Sequence, residues 1–188
     1  MSVRTVRSYR FSRSDEVVLD TNVLVFVFAA SYNIEPDHTR RGSPYTKAYN
    51  ELLVRRAQII LLDVVLAEFF GVMEAMASRH WYKVGGGRNL IPVEEWQERK
   101  QFRRKGPYPT LLKEFRQATA DILKHARFEK VALDETSIGQ VLADVEAKRI
   151  GINDVLIARH CETSGRVLLT SDADMLQFQD RIDIVHGA

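Results

Sequence analysis

The chain has 188 residues, 45% of them hydrophobic and 28% charged, with a formal net charge of +2. That balance excludes a disordered chain and fits one domain with a sizeable core, and no apolar run approaches the ~20 residues of a membrane-spanning helix. The lone Cys161 excludes an internal disulfide and a Cys-based zinc site, and the five His form no H-x-x-x-H pair. The opening "MSVRTVRSYRFSR" carries Arg but no hydrophobic signal segment, so a cytoplasmic location is expected.

Residues 1–15 read as a basic arm, with Arg4, Arg7, Arg10 and Arg13 ahead of the first acid. "EVVLD" at 16–20 reads as a buried strand, followed by a short apolar helix from Asn22. The polar linker "SYNIEPDHTRRG" leads to Ser43-Pro44, an N-cap with Pro at the first helical position, and a helix to about residue 57. "QIILL" is the second strand, and Asp63 can cap a helix to about His80. Residues 81–110 break the rhythm as an insertion: three glycines act as a hinge, "VEEWQERKQFRRK" is helical, and "GPYP" ends it. An amphipathic helix over 110–127, a third strand at "KVALD", a helix over 135–149 and a helix capped by Asn153 follow. "RVLLT", a short helix after Ser171 and "IDIV" complete the pattern.

Short, wholly apolar strands alternating with helices indicate a parallel sheet covered on both faces. The expected fold is α/β, a three-layer α/β/α domain over 16–188 around a sheet of about five strands. Ligands in such folds bind beyond the carboxyl ends of the strands, where strand order reverses.

Four acids fall where an apolar core is expected. Asp20 ends the first strand, and Asp172 follows the fourth, with Asp174 two residues on. Glu68 shares a helical face with Val64, Val65, Val72 and Ala75, which places it on the buried stripe, and Asp154 heads the face of Ile157, Ala158 and Cys161. Singly, each can be a helix cap or half of an ion pair. Together, converging carboxylates repel unless cations sit among them, and hard divalent ions take oxygen ligands. The constellation therefore reads as a metal site.

"VVLDTNVL", a Glu on the helix after the second strand, "INDVLIA" and "LLTSDADM", in this order, resemble the PIN domain, a family of metal-dependent ribonucleases that includes VapC-type toxins. The resemblance implies that Asp20, Glu68, Asp154 and Asp172 are the catalytic and metal-binding acids, that Asp174 is an auxiliary, and that Thr21, Asn22 and Thr170 support them. It further implies one or two Mg2+ or Mn2+ ions, RNA cleavage to 5′-phosphate and 3′-hydroxyl ends, a cognate antitoxin as partner, and homodimers. Met175 stands where family members often carry an aromatic. The alternatives are a PIN-fold RNA-processing nuclease or a non-catalytic RNA- or protein-binding module. A haloacid-dehalogenase reading fails because Asn22 stands where its second Asp is needed.

Arg99, Lys100, Arg103, Arg104 and Lys105 form a cationic stripe at helical spacing beside Trp81, Tyr82, Trp96, Phe102 and Tyr108, a combination suited to single-stranded RNA. The structural alternative is a solvated helix with aromatics packed on the core. Likewise, Phe69, Phe70 and Met73 can serve a dimer interface or the core.

Overall fold

Val17, Val18 and Leu19 are fully buried, as strands sandwiched between helices must be. The computed structural model describes residues 2–29, 36–84 and 95–187. Its six strands are β1 (Val3–Thr5), β2 (Glu16–Leu19), β3 (Gln58–Leu62), β4 (Ala126–Glu129), β5 (Val167–Thr170) and β6 (Asp183–His186). They form one sheet in the order β1-β6-β5-β2-β3-β4, parallel throughout. The helices are α1 (Thr21–Phe28), α2 (Pro36–Arg55), α3 (Asp63–Val84), α4 (Glu95–Lys105), α5 (Tyr108–Leu123), α6 (Glu135–Lys148) and α7 (Ile152–Ser164), with a 3₁₀ helix at Ala173–Phe178. The architecture is three-layer α/β/α. From β2 the chain builds outward through β3 to β4, then returns to lay β5 on the other side of β2. Strand order reverses between β2 and β5, and both carboxyl ends open on one edge.

Several boundaries depart from the pattern read in the sequence. The sheet has a sixth strand because Val3–Thr5 pairs with β6, in register Val3↔Ile184 to Thr5↔His186. All three of its residues are exposed, so β1 carries no hydrophobic signature. The third strand predicted at "KVALD" lies instead at "ARFE", in register with β3 from Ala126↔Ile59 to Glu129↔Leu62. An edge strand is served by polar side chains, which discourage pairing with other chains. The "KVALD" segment leaves the sheet: the Val131 N–H donates to Asp63 Oδ1 at 3.0 Å, and Asp134 caps α6 by accepting from the Ser137 N–H at 2.7 Å. The long amphipathic helix is correspondingly Tyr108–Leu123, short of the expected end.

Helix α2 begins at Pro36, so Pro44 is inside it rather than at its start; the side chain of Ser43 and residues 30–35 of the linker lie outside the described residues. Helix α7 is capped by Gly151 rather than Asn153, and ends at Gly165, whose φ of 67° is the left-handed conformation glycine adopts most readily. Within the insertion, the three glycines and the Trp96 side chain lie outside the described residues. Phe102 is buried, with the rings of Trp81 and Tyr108 at 5.9 and 6.0 Å. Phe102 is core, and Trp81 and Tyr108 pack on it part-buried where α4 and α5 dock. Phe69 and Met73 are likewise core, and Phe70 packs on Phe115 at 4.6 Å. Among the described residues, no helix is long and apolar enough to cross a membrane.

Candidate functional site

Asp20 follows β2 directly, and its backbone N–H continues the ladder to Leu169 O at 3.0 Å. It is 5% exposed. Although it occupies the N-cap position of α1, its side chain forms no capping hydrogen bond. Its Oδ2 instead accepts from the Thr170 hydroxyl at 2.6 Å, and the same hydroxyl oxygen accepts the Asp172 N–H at 2.9 Å. Burial raises the Asp20 carboxyl to about 6, countered by the Thr170 hydrogen bond and the Thr21 backbone and raised further by the charges of Asp154 and Glu68.

Glu68 sits on α3 opposite these residues. The Thr21 hydroxyl donates to its Oε2 at 3.0 Å, and the Asn153 amide approaches the same oxygen at 3.4 Å. It is half-buried, not on the core stripe. The fully buried side of α3 is Val65, Phe69, Met73 and Ala77, whereas Glu68 joins Val72 and Ala75 on the wall of an open groove of ≈ 560 Å³. Helix α3 packs against α1, α4, α5 and α7, so apolar residues are needed around more of its circumference than one stripe, and periodicity alone misplaces the core face.

Asp154 lies in the first turn of α7, where the helix dipole favours an anion. Its Oδ2 accepts the Gly151 N–H at 3.2 Å. A Cβ on Gly151 would stand 2.8 Å from that same oxygen, so glycine makes room for the carboxylate. Burial, then Asp172, then Glu68 raise Asp154 to about 6, with Asp174 adding to the effect. Asp172 caps the 3₁₀ helix by accepting the Asp174 N–H at 2.8 Å.

Acids from separate parts of the chain thus lie within electrostatic reach of one another near the carboxyl ends of β2 and β5: Asp20 feels Asp154 and Glu68, and Asp154 feels Asp172, Glu68 and Asp174. The strongest influences on Asp20 and Asp154 are burial, hydrogen bonds and other acids, with no Lys or Arg among them. This donor set, all carboxylate, hydroxyl and amide oxygen, fits a hard divalent cation. Among the described residues no group of three or more acidic, His or Cys side chains is arranged to hold a metal ion; Asp154 and Asp172 are turned onto backbone N–H groups at the starts of their own helices. Asn22 is exposed, and the amide that reaches the centre is that of Asn153. Sequence reading assigned Asn153 to a helix cap because Asn is a common capping residue.

The cationic stripe on α4 divides. Arg99 lines the same groove as Glu68, together with Arg79, while Lys100, Arg104 and Lys105 are exposed. Arg103 is tied down: its Nε and Nη2 grip Glu74 of α3, the second contact at 2.7 Å. Glu74 is 2% exposed and is the buried acid that sequence reading missed. It follows Met73 within the core stripe, and Arg103 is the partner that makes its burial tolerable.

A six-stranded parallel sheet with an acidic centre at its topological switch point defines an α/β domain built to hold charge at one edge. The sequence profile of the PIN domain family matches residues 17–181, and the chain belongs to that family. No curated protein matches the chain. Among solved structures it is similar to VapBC2 from Rickettsia felis bound to a promoter DNA fragment, at 16% identity over 92% of this chain and 99% of that one, with a TM-score of 0.49. DNA-bound VapBC from Salmonella typhimurium is 16% identical over 92% of this chain and 98% of that one, with a TM-score of 0.47. PAE2754 from Pyrobaculum aerophilum is 15% identical over 97% and 93%, with a TM-score of 0.48.

Proposed function

We propose that the chain is a Mg2+- or Mn2+-dependent endoribonuclease of the VapC type that leaves 5′-phosphate and 3′-hydroxyl ends. The observation that carries this reading is the mutual influence of acids from separate parts of the chain: Asp154 and Glu68 raise Asp20, and Asp172, Glu68 and Asp174 raise Asp154, with no Lys or Arg among the strongest influences on either. Carboxylates that raise one another in this way would be relieved by a bound cation, and a hard divalent ion suits oxygen ligands of this kind.

In this reading Asp20 and Asp154 would hold the ion directly, with Glu68 and Asp172 completing the site and Asp174 assisting. Bound divalent cations acidify coordinated water and offset charge that builds on phosphate. Thr170 holds Oδ2 of Asp20 and would keep the carboxylate oriented when an ion is bound. Thr21 and Asn153 orient Glu68 from the starts of α1 and α7, so three elements are registered around one carboxylate. To meet an ion, Asp154 and Asp172 would exchange their bonds to the Gly151 and Asp174 N–H groups for the metal. The groove that runs from Glu68 and Asn153 towards Arg79 and Arg99 gives a phosphate backbone a path away from the acids.

The test is cleavage of mixed RNA by the purified chain with Mn2+, compared with EDTA and with Asp20→Asn. Metal-dependent cuts bearing 5′-phosphates, absent from the variant, are expected; equal activity of a folded Asp20→Asn protein overturns the assignment. Growth arrest on expression of the parent but not of Asp20→Asn would support a toxin role with an antitoxin as protein partner.

A further inference from the structure

The arginines of the N-terminal segment take no part in the centre described above. Beyond the carboxyl end of β1 lies a second cavity of ≈ 510 Å³. Its lining, among the described residues, includes Arg7 and Arg10 from the N-terminal segment and Lys47, Ala48 and Glu51 from α2. Arg7, Arg10 and Lys47 are exposed, and among the described residues none of them makes an ion pair. Among the described residues Arg10 reaches the Arg7 carbonyl, at 3.4 Å. The single carboxylate, Glu51, already stands 3.9 Å from Arg55. Arg4, by contrast, is engaged elsewhere, over the ring of Tyr9 and on Ser2.

This basic cavity shares an edge with the acidic centre. Thr170, which holds Asp20, is level with His186, and His186 is level with Thr5, the last residue of β1. Two strand steps separate them, about 10 Å at ordinary strand spacing. Tyr45 stands between: its hydroxyl accepts the Gly187 N–H at 2.7 Å just past β6, and burial, with a smaller contribution from the Asp20 charge, raises its pKa. Lys47 lies two residues further along the same helix.

We propose that Arg7, Arg10 and Lys47 form a separate subsite for the phosphate backbone of a single-stranded nucleic acid whose scissile phosphate lies at Asp20 and Asp154. The inference rests on the nuclease reading for the second half of that statement. Guanidinium forks match phosphate oxygens, and the buried apolar wall of Val6 and Ala48 gives a sugar or base a surface to lie on. A nucleic acid strand is favoured over an acidic peptide because its evenly spaced phosphates can reach from this cavity to the acidic centre about 10 Å away at ordinary strand spacing, so that one ligand spans both.

The experiment uses the full chain and a fluorescent unstructured oligoribonucleotide in EDTA, where cleavage is blocked, with affinity measured across a salt series. Arg7→Gln/Arg10→Gln/Lys47→Gln is expected to bind at least tenfold more weakly at low salt, with a salt slope shallower by about 2, at ~0.7 per phosphate contact on single strands. Arg7→Lys/Arg10→Lys is expected to keep the slope. An unchanged slope in the triple variant, with melting unchanged, overturns the proposal, and so does a parent that binds no RNA. Poly-glutamate that binds the parent more tightly than RNA and loses its affinity in the triple variant would overturn it in favour of an acidic protein partner. In parallel, Mn2+-dependent cleavage is compared on the oligomer and on a dinucleotide too short to reach the cavity. The triple variant is expected to lose rate on the oligomer alone. A parent that cleaves neither substrate refutes the nuclease reading, while the binding series still decides the subsite.

Discussion

The Thr170 hydroxyl donates to Asp20 Oδ2 at 2.6 Å and at the same time accepts the Asp172 N–H at 2.9 Å. One side chain at the end of β5 thus fixes the carboxylate that ends β2 and the turn that carries the next acid. Thr170→Val keeps the shape and removes both bonds. It should cost about 1–3 kcal/mol, the range for leaving a buried polar group unsatisfied, as read by urea unfolding at neutral pH. A variant as stable as the parent would show that the hydroxyl is incidental.

Asp20 and Asp154 are both raised from 3.8 to about 6. A carboxyl whose folded pKa lies above its unfolded value favours folding when protonated, and that contribution is lost as pH rises through the folded value. Without metal, the pair should therefore destabilise the chain as pH climbs from about 4 to beyond 6. Asp20→Asn should melt higher than the parent at neutral pH, with the gap closing in acid. Added Mn2+ should then raise the melting temperature of the parent but not of the variant. Differential scanning calorimetry across pH, with and without Mn2+, checks both parts.

Glu68 is held by Thr21 and Asn153. Removing partners that orient a metal-binding side chain typically lowers metal affinity or activity 10–100-fold. Thr21→Val and Asn153→Ala are expected to fall in that range, and the double variant to fall short of the product, since both act on one oxygen. Titration with Mn2+ separates a loss of affinity from a loss of turnover.

Arg103 and Glu74 make the opposite case: a stripe residue whose work is structural. Arg103→Met leaves a buried carboxylate without its partner. Because the arginine side chain is 53% exposed, the loss should be nearer 1–2 kcal/mol than the ~3–5 of a wholly buried pair. Glu74→Gln in the same background should recover part of it. RNA affinity and its salt slope should stay as in the parent; a shallower slope would return Arg103 to the phosphate path.

The positions of Asp20 and Asp172 were legible because each interrupts or ends a short apolar run, and an acid at a strand terminus stands out at once. Glu68 was legible as an acid among apolar neighbours, but its face was read wrongly: α3 is covered on several sides, so the 3.6-residue period no longer marks a single core stripe. Strand β4 and the N-terminal β1 escaped for a related reason. Both are edge strands, β1 exposed throughout and β4 exposed or part-buried, and their pairing comes from backbone hydrogen bonds that leave no mark on hydropathy.

Composition, the alternation of apolar runs and the placement of acids at their ends determined by themselves an α/β chain with carboxylates at a sheet edge, since burial and charge act locally and leave local signatures. Only the tertiary structure decided which groups answer those carboxylates: Thr170 for Asp20, Asn153 for Glu68, Gly151 for Asp154, and Arg103 for an acid that went unnoticed. Partners distant along the chain are brought together by strand order and helix packing, and a hydrogen bond forms between whatever groups that packing leaves within about 3 Å of each other.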